Sequence, residues 1–171
     1  MPRSYRVTLA FSFSSLCAVT VAAPLLAAAP AASPTTNALA HLAGRWSGEA
    51  SVVPASGPSE AFKCVVTYRP SAEGAAMKQT LRCTKGEFRL EAATDLTIDG
   101  DRVSGRWEDK INALGGDVSG VVTKTGFDIQ LGGRFFAAGM TVTGDDCAQS
   151  VRLVPVRADY IKELSASLRR C

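Results

Sequence analysis

An all-β fold is what this sequence predicts: an antiparallel meander of eight to ten strands closing into a small barrel, with an amphipathic helix packed outside its end. Three observations carry that expectation. Between Gly44 and Val156 apolar and polar residues alternate with period two. Gly-containing turns interrupt the alternation at short intervals. Folded as hairpins, those turns set the apolar residues of both flanking strands on one common face.

Residues 1–31 precede the strands and have three successive characters. A basic start holds Arg3 and Arg6, an apolar stretch runs from Val7 to Leu26, and a small-residue tail ends Ala29-Pro30-Ala31. This is the layout of a secretory signal peptide. A membrane anchor is the alternative, but Ser12, Ser14, Ser15, Thr20 and Pro24 dilute the apolar stretch, and an A-x-A site follows it. Residues 32–43 read as a flexible lead-in with a short helical turn over Asn37 to Leu42.

Cleavage at that site removes two of the 19 Lys and Arg and none of the 16 Asp and Glu, leaving 17 against 16. With both signs interspersed, neither a nucleic-acid groove nor a polybasic membrane patch is expected, and no membrane span remains. The five cysteines lose Cys17 and become four: Cys64, Cys83, Cys147 and Cys171. An even count in an exported chain reads as two disulfides, and the expected location is the periplasm or the exterior. The four are scattered and His41 is the only histidine, so zinc is not expected.

The candidate strands are nine, near 46–53, 61–69, 76–84, 87–98, 101–108, 116–123, 126–131, 134–143 and 149–156, and they form a barrel domain over 44–156. Folding about Asp99-Gly100 sets Leu96 opposite Val103 and Ala92 opposite Trp107. Folding about Lys85-Gly86 sets Leu81 opposite Leu90 and Cys83 opposite Phe88. Folding about Gly132-Gly133 sets Ile129 opposite Phe136 and Phe127 opposite Ala138. An odd number of strands cannot close with every pair antiparallel, so one strand is miscounted, a tenth is missed, or the sheet stays partly open.

Over residues 157–171 the period changes. Ile161, Leu164 and Leu168 fall on one helical face, with Asp159 at the start and Arg169-Arg170 at the end matching the helix dipole. Cys64 and Cys83 lie on the inner faces of neighbouring strands. Strand 149–156 rises roughly 26 Å, and a helix folding back over it descends roughly 18–20 Å. That return brings Cys171 near Cys147, so the expected pairs are Cys64–Cys83 and Cys147–Cys171.

Gly44-Arg45-Trp46, opening the first strand after a helical turn, resembles the G-x-W signature of the lipocalins and related calycin barrels. The order of export signal, meander and C-terminal helix is similar as well. The resemblance implies that Trp46 closes the barrel floor and that an Arg near the end of the last barrel strand packs over it, with Arg157 the matching position and Arg152 the fallback. The family's T-D-Y motif is missing from its usual place, and Ala158-Asp159-Tyr160 stands at the start of the last segment instead.

For function, the inner face offers Tyr68, Phe88, Trp107, Phe127, Phe136 and Met140, with Arg134 inward at the rim. These are the candidate ligand-binding residues for a small apolar or amphiphilic molecule. No catalytic constellation is expected. His41 lies in the lead-in, the disulfides consume the thiols, and Asp145-Asp146 and Glu108-Asp109 fall at strand ends or loops. No cofactor motif is present. The alternatives are a protein-interaction module, such as an inhibitor of an exported protease working through loop 109–115 with Phe135, or a structural envelope protein without a ligand.

Overall fold

The computed structural model describes residues 39–157 and 160–171. The expected signal peptide and most of the lead-in lie outside the described residues. A single 3-10 turn, Ala40–Leu42, leads into ten strands: β1 (Gly44–Pro54), β2 (Glu60–Pro70), β3 (Ala76–Lys85), β4 (Phe88–Asp99), β5 (Arg102–Asp109), β6 (Leu114–Thr123), β7 (Gly126–Gly133), β8 (Ala137–Gly144), β9 (Ala148–Arg157) and β10 (Ile161–Arg169). Successive strands pair antiparallel and β10 pairs with β1, so the sheet is a closed barrel.

The last segment is a strand and not the expected helix. Ile161, Leu164 and Leu168 satisfy a helical stripe, but Leu164, Ala166 and Leu168 satisfy alternation equally well. They pair with Val52, Ala50 and Gly48 of β1. Tertiary context decides between the two periods: a tenth strand makes the count even, and an all-antiparallel sheet then closes without an unpaired edge.

The hairpin registers also differ from expectation, always by an even number of residues. At the β4–β5 turn Leu96 faces Gly105, Ile98 faces Val103, and Trp107 faces Thr94 and not Ala92. At the β3–β4 turn Leu81 faces Ala92, Cys83 faces Leu90, and Phe88 faces Lys85. In both, the glycine takes the first of the two turn positions, with φ +62° at Gly100 and +57° at Gly86. The Gly132-Gly133 pair does not turn at all. It extends β7 and pairs with Gly116 and Asp117 of β6, and Ile129 consequently faces Met140 and Phe127 faces Val142. Because side chains alternate with period two, slips of two or four leave every face assignment intact.

Both disulfides form as expected, Cys64–Cys83 and Cys147–Cys171. Cys64 and Cys83 are direct cross-strand partners. Cys147 and Cys171 meet because the β9–β10 hairpin brings its two ends together, Ala148 opposite Arg169, and no helix is involved. Among the described residues no helix is long and apolar enough to cross a membrane.

At the floor, where β1 begins and β10 ends, Trp46, Leu39, Leu42, Tyr68, Phe127, Met77 and Leu168 are fully buried. Toward the other end, the mouth, inward-facing Val52, Leu81, Leu90, Trp107, Leu131 and Met140 are only partly buried. Burial is not graded along the axis, since Phe62, Cys83 and Ala138 are buried near the mouth while Ile98, Val122 and Val151 are only partly buried near the floor.

Candidate functional site

The floor is sealed by one aromatic and one cation. Trp46 Nε1 donates to the Leu42 carbonyl at 2.7 Å, which fixes the 3-10 turn under the barrel. The Arg170 guanidinium lies 4.8 Å from the Trp46 ring centroid. Arg170 also donates to the carbonyls of Ala43 and Asp146. The place expected of Arg157 thus belongs to Arg170, just past the strand that closes the barrel. Arg157 lies at the mouth, where it donates to the Gly133 carbonyl, and Arg152 pairs with Glu163 on the outer wall.

Above the floor, the interior is polar at one level. The Tyr68 hydroxyl donates to Gln149 Oε1 at 3.3 Å. Burial pushes the Tyr68 phenol well above its usual range, so it stays protonated. Gln79, the cross-strand partner of Tyr68, is buried as well, and neither Gln79 Oε1 nor Gln149 Nε2 has a hydrogen-bond partner. Tyr68 and Phe127 meet edge to face with centroids 6.4 Å apart.

At the mouth the chain forms a cleft of about 200 Å³, lined by Trp107, Ala113, Leu114, Gly115, Arg134, Phe135 and Phe136. Two connections build it. The β5–β6 loop is held by Asp109, whose carboxylate accepts from the backbone N–H groups of Ile111 and Asn112 at 3.0 and 3.2 Å. The β7–β8 loop is held at its base, where the Gly132 carbonyl accepts from Trp107 Nε1 at 3.1 Å and Gly133 accepts from Arg157.

Glycine makes the close approach possible. A Cβ on Gly116 would lie 1.5 Å from the Gly132 carbonyl oxygen, and one on Gly133 would crowd Gly115 and the Trp107 ring. The room for Trp107 therefore comes from Gly116 and Gly133 on one side, with Thr94 on the other. Trp107 packs edge to face on Phe136, centroids 5.8 Å apart. The Arg134 guanidinium stacks 4.9 Å above the Phe135 ring.

Of the residues expected to bind a ligand, the structure brings Trp107, Arg134 and Phe136 together in this cleft. Tyr68 and Phe127 are fully buried near the floor. Met140 is partly buried on the inner wall opposite Ile129. Phe88 is elsewhere on the rim, half exposed, with its ring 5.2 Å from that of Phe62. Sequence reasoning placed Leu114 in loop 109–115 and Gly116 at the start of strand 116–123, and assigned neither to a ligand site. It also read Arg170 as a helix-end charge. The cleft lining contains no carboxylate, thiol, hydroxyl or imidazole.

No protein family and no curated protein matches the chain. Solved structures do. The fold is similar to the crystal structure of Rv2717c from M. tuberculosis, at 14% identity over 81% of this chain and 98% of that one, with a TM-score of 0.67. It is also similar to the S-type phycobiliprotein lyase CPES from Guillardia theta, at 8% identity over 77% of this chain and 89% of that one, with a TM-score of 0.59. At such identities the likeness is one of fold, and the fold is a closed, ten-stranded antiparallel barrel.

Proposed function

We propose that the chain is an exported, non-catalytic binding protein that holds a small apolar or amphiphilic molecule at the barrel mouth. The observation that carries this reading is the cleft, where Trp107, Leu114 and Phe136 offer an apolar surface and Arg134 lies beside it. The apolar part of a ligand packs against the Trp107 and Phe136 rings, and a polar or anionic end meets Arg134. About 200 Å³ is below the roughly 300–1,000 Å³ of drug-sized sites. The cleft therefore suits a small molecule, or one end of a longer one. Export is supported by the N-terminal layout and by two disulfides, which persist in oxidising compartments.

Native mass spectrometry of protein purified from its own host, followed by titration of Trp fluorescence with short-chain acids, alcohols and aromatic acids, tests the reading. A co-purifying small mass and a saturable emission change that disappears in Trp107→Phe are expected. Arg134→Gln should weaken the acids and spare the alcohols. An empty protein with no saturable change for any probe would overturn the proposal.

A further inference from the structure

The two rings that meet in the cleft form a corner. Trp107 and Phe136 have centroids 5.8 Å apart and planes inclined at 74°, and both line the cleft. A third flat ring entering such a corner stacks offset on one ring and meets the other edge to face, the arrangements that aromatic pairs prefer. An alkyl chain in the same place gains only buried area. The corner is built before anything binds. The Gly132 carbonyl accepts from Trp107 Nε1 at 3.1 Å, and a Cβ on Gly133 would stand 3.4 Å from the indole, so β7 backbone fixes the ring from that side. A rigid ring meeting a rigid corner loses little freedom, whereas each rotor of a chain is frozen at a cost.

The cation beside the corner is held as well. Phe135 is 64% exposed, and its ring carries the Arg134 guanidinium 4.9 Å from the centroid. That contact steadies a long side chain which would otherwise sweep through solvent. At the same end of the barrel Lys85 is paired with Glu60, Lys110 with Glu108, and Arg157 is engaged on the Gly133 carbonyl. Among the described residues Arg134 has no carboxylate partner, and the cleft lining sets no negative charge against an incoming anion. The guanidinium fork matches the two oxygens of a carboxylate. A cleft of about 200 Å³ has the volume of roughly seven waters, room for one ring and a short acidic substituent.

We infer that the cleft selects aromatic acids: a single flat ring sits in the Trp107–Phe136 corner with its carboxylate on Arg134, and Phe135 is the positioning residue that holds the guanidinium there. This deepens the binding reading above and rests on it. Aliphatic acids of equal size fill the same space without the ring contacts. Aromatic alcohols make the ring contacts without the ion pair. Tight binding therefore requires both halves of the ligand.

Ligand-detected NMR titrations near neutral pH test this by ranking benzoate, phenylacetate, cyclohexanecarboxylate, hexanoate and benzyl alcohol on the parent protein. The better of the two aromatic acids should bind about fivefold tighter than either aliphatic acid and about tenfold or more tighter than benzyl alcohol. Phe136→Leu should erase the aromatic preference and leave hexanoate binding. Phe135→Leu should weaken benzoate severalfold with benzyl alcohol unchanged, and Phe135→Tyr, which keeps a ring, should bind like the parent. Thermal melts confirm that the variants are folded, and the ranking on the parent protein needs no variant. An aliphatic acid bound as tightly as the aromatic ones overturns the inference and leaves a general amphiphile-binding cleft standing. Benzyl alcohol bound as tightly as benzoate overturns it too, because Arg134 then selects nothing. Binding of none of the probes overturns both this inference and the reading beneath it.

Discussion

The Arg170 guanidinium stacks 4.8 Å from the centroid of the fully buried Trp46 ring while bonding the carbonyls of Ala43 and Asp146. One side chain thus ties the segment entering the first strand, the β8–β9 turn and the exit of the last strand into a single plug. Arg170→Met keeps most of the aliphatic stem and removes the cation and its donors. It should lower unfolding stability by about 1–3 kcal/mol, read by urea denaturation. A change below about 0.5 kcal/mol would show that Trp46 closes the floor without it.

Trp107 and Arg106 are adjacent residues on opposite faces of β5. Trp107 is partly buried, packs on Phe136 and donates to Gly132. Trp107→Ala should cost about 2–4 kcal/mol, somewhat less than the loss of a fully enclosed ring. Arg106 is exposed and pairs with Asp117, so Arg106→Ala should cost under about 0.5 kcal/mol. Equal costs in denaturant melts would contradict the face assignment.

Gly116 lies on β6 between Trp107 of β5 and Gly133 of β7. A methyl group there meets the Gly132 carbonyl at 1.5 Å, and backbone must move to admit it. Gly116→Ala should therefore destabilise by about 2–3 kcal/mol and displace Trp107, which a shifted indole emission would reveal. An unchanged melt would mean that the strands separate there without strain.

The Cys147–Cys171 bridge closes a loop with a sequence separation of 24. Replacing both cysteines by serine should cost about 3 kcal/mol through the freer unfolded chain. The loss should be mirrored by reducing agent acting on the parent protein with Cys64–Cys83 protected. A double variant as stable as the parent would show that β10 needs no staple.

Stability should fall at both extremes of pH for identifiable reasons. Backbone N–H groups of Ala148 and Cys147 hold the Asp145 carboxyl below its usual range. A depressed folded value contributes stability above the unfolded pKa near about 4, lost as pH drops through the folded value. Tyr68 is the reverse case: its raised folded value contributes stability below the unfolded pKa near about 10. That contribution is lost as pH rises. Asp145→Asn should flatten the acid limb and Tyr68→Phe the alkaline limb in melts across pH, and limbs unaltered by either change would contradict both assignments.

Period two is the reason the barrel was readable from residues. Three hairpins slipped by two or four positions, yet Leu96, Val103, Phe127 and Ile129 are all buried, because an even displacement preserves parity. The turn positions were less legible, since a left-handed glycine serves as the first or second turn residue without changing the local pattern. Leu164, Ala166 and Leu168 answer to two periods at once, and only closure against β1 selects one. For the cleft, Trp107, Arg134 and Phe136 stood out as inner-face or rim residues. Leu114 and Gly116 did not, because Leu114 opens β6 just past the loop that the Asp109 carboxylate orders, and Gly116 has no side chain to mark an inner face.

That the first strand pairs with the tenth has a temporal meaning. Ser47 meets Arg169 only when all ten strands are available, so a chain lacking β10 carries two open strand edges competent to recruit other chains. Nothing local rewards that final pairing, which makes it slow and dependent on everything between. Among the residues completing it are the cation that caps the floor and the thiol that locks the hairpin. The barrel protects its edges only once β10 has reached β1.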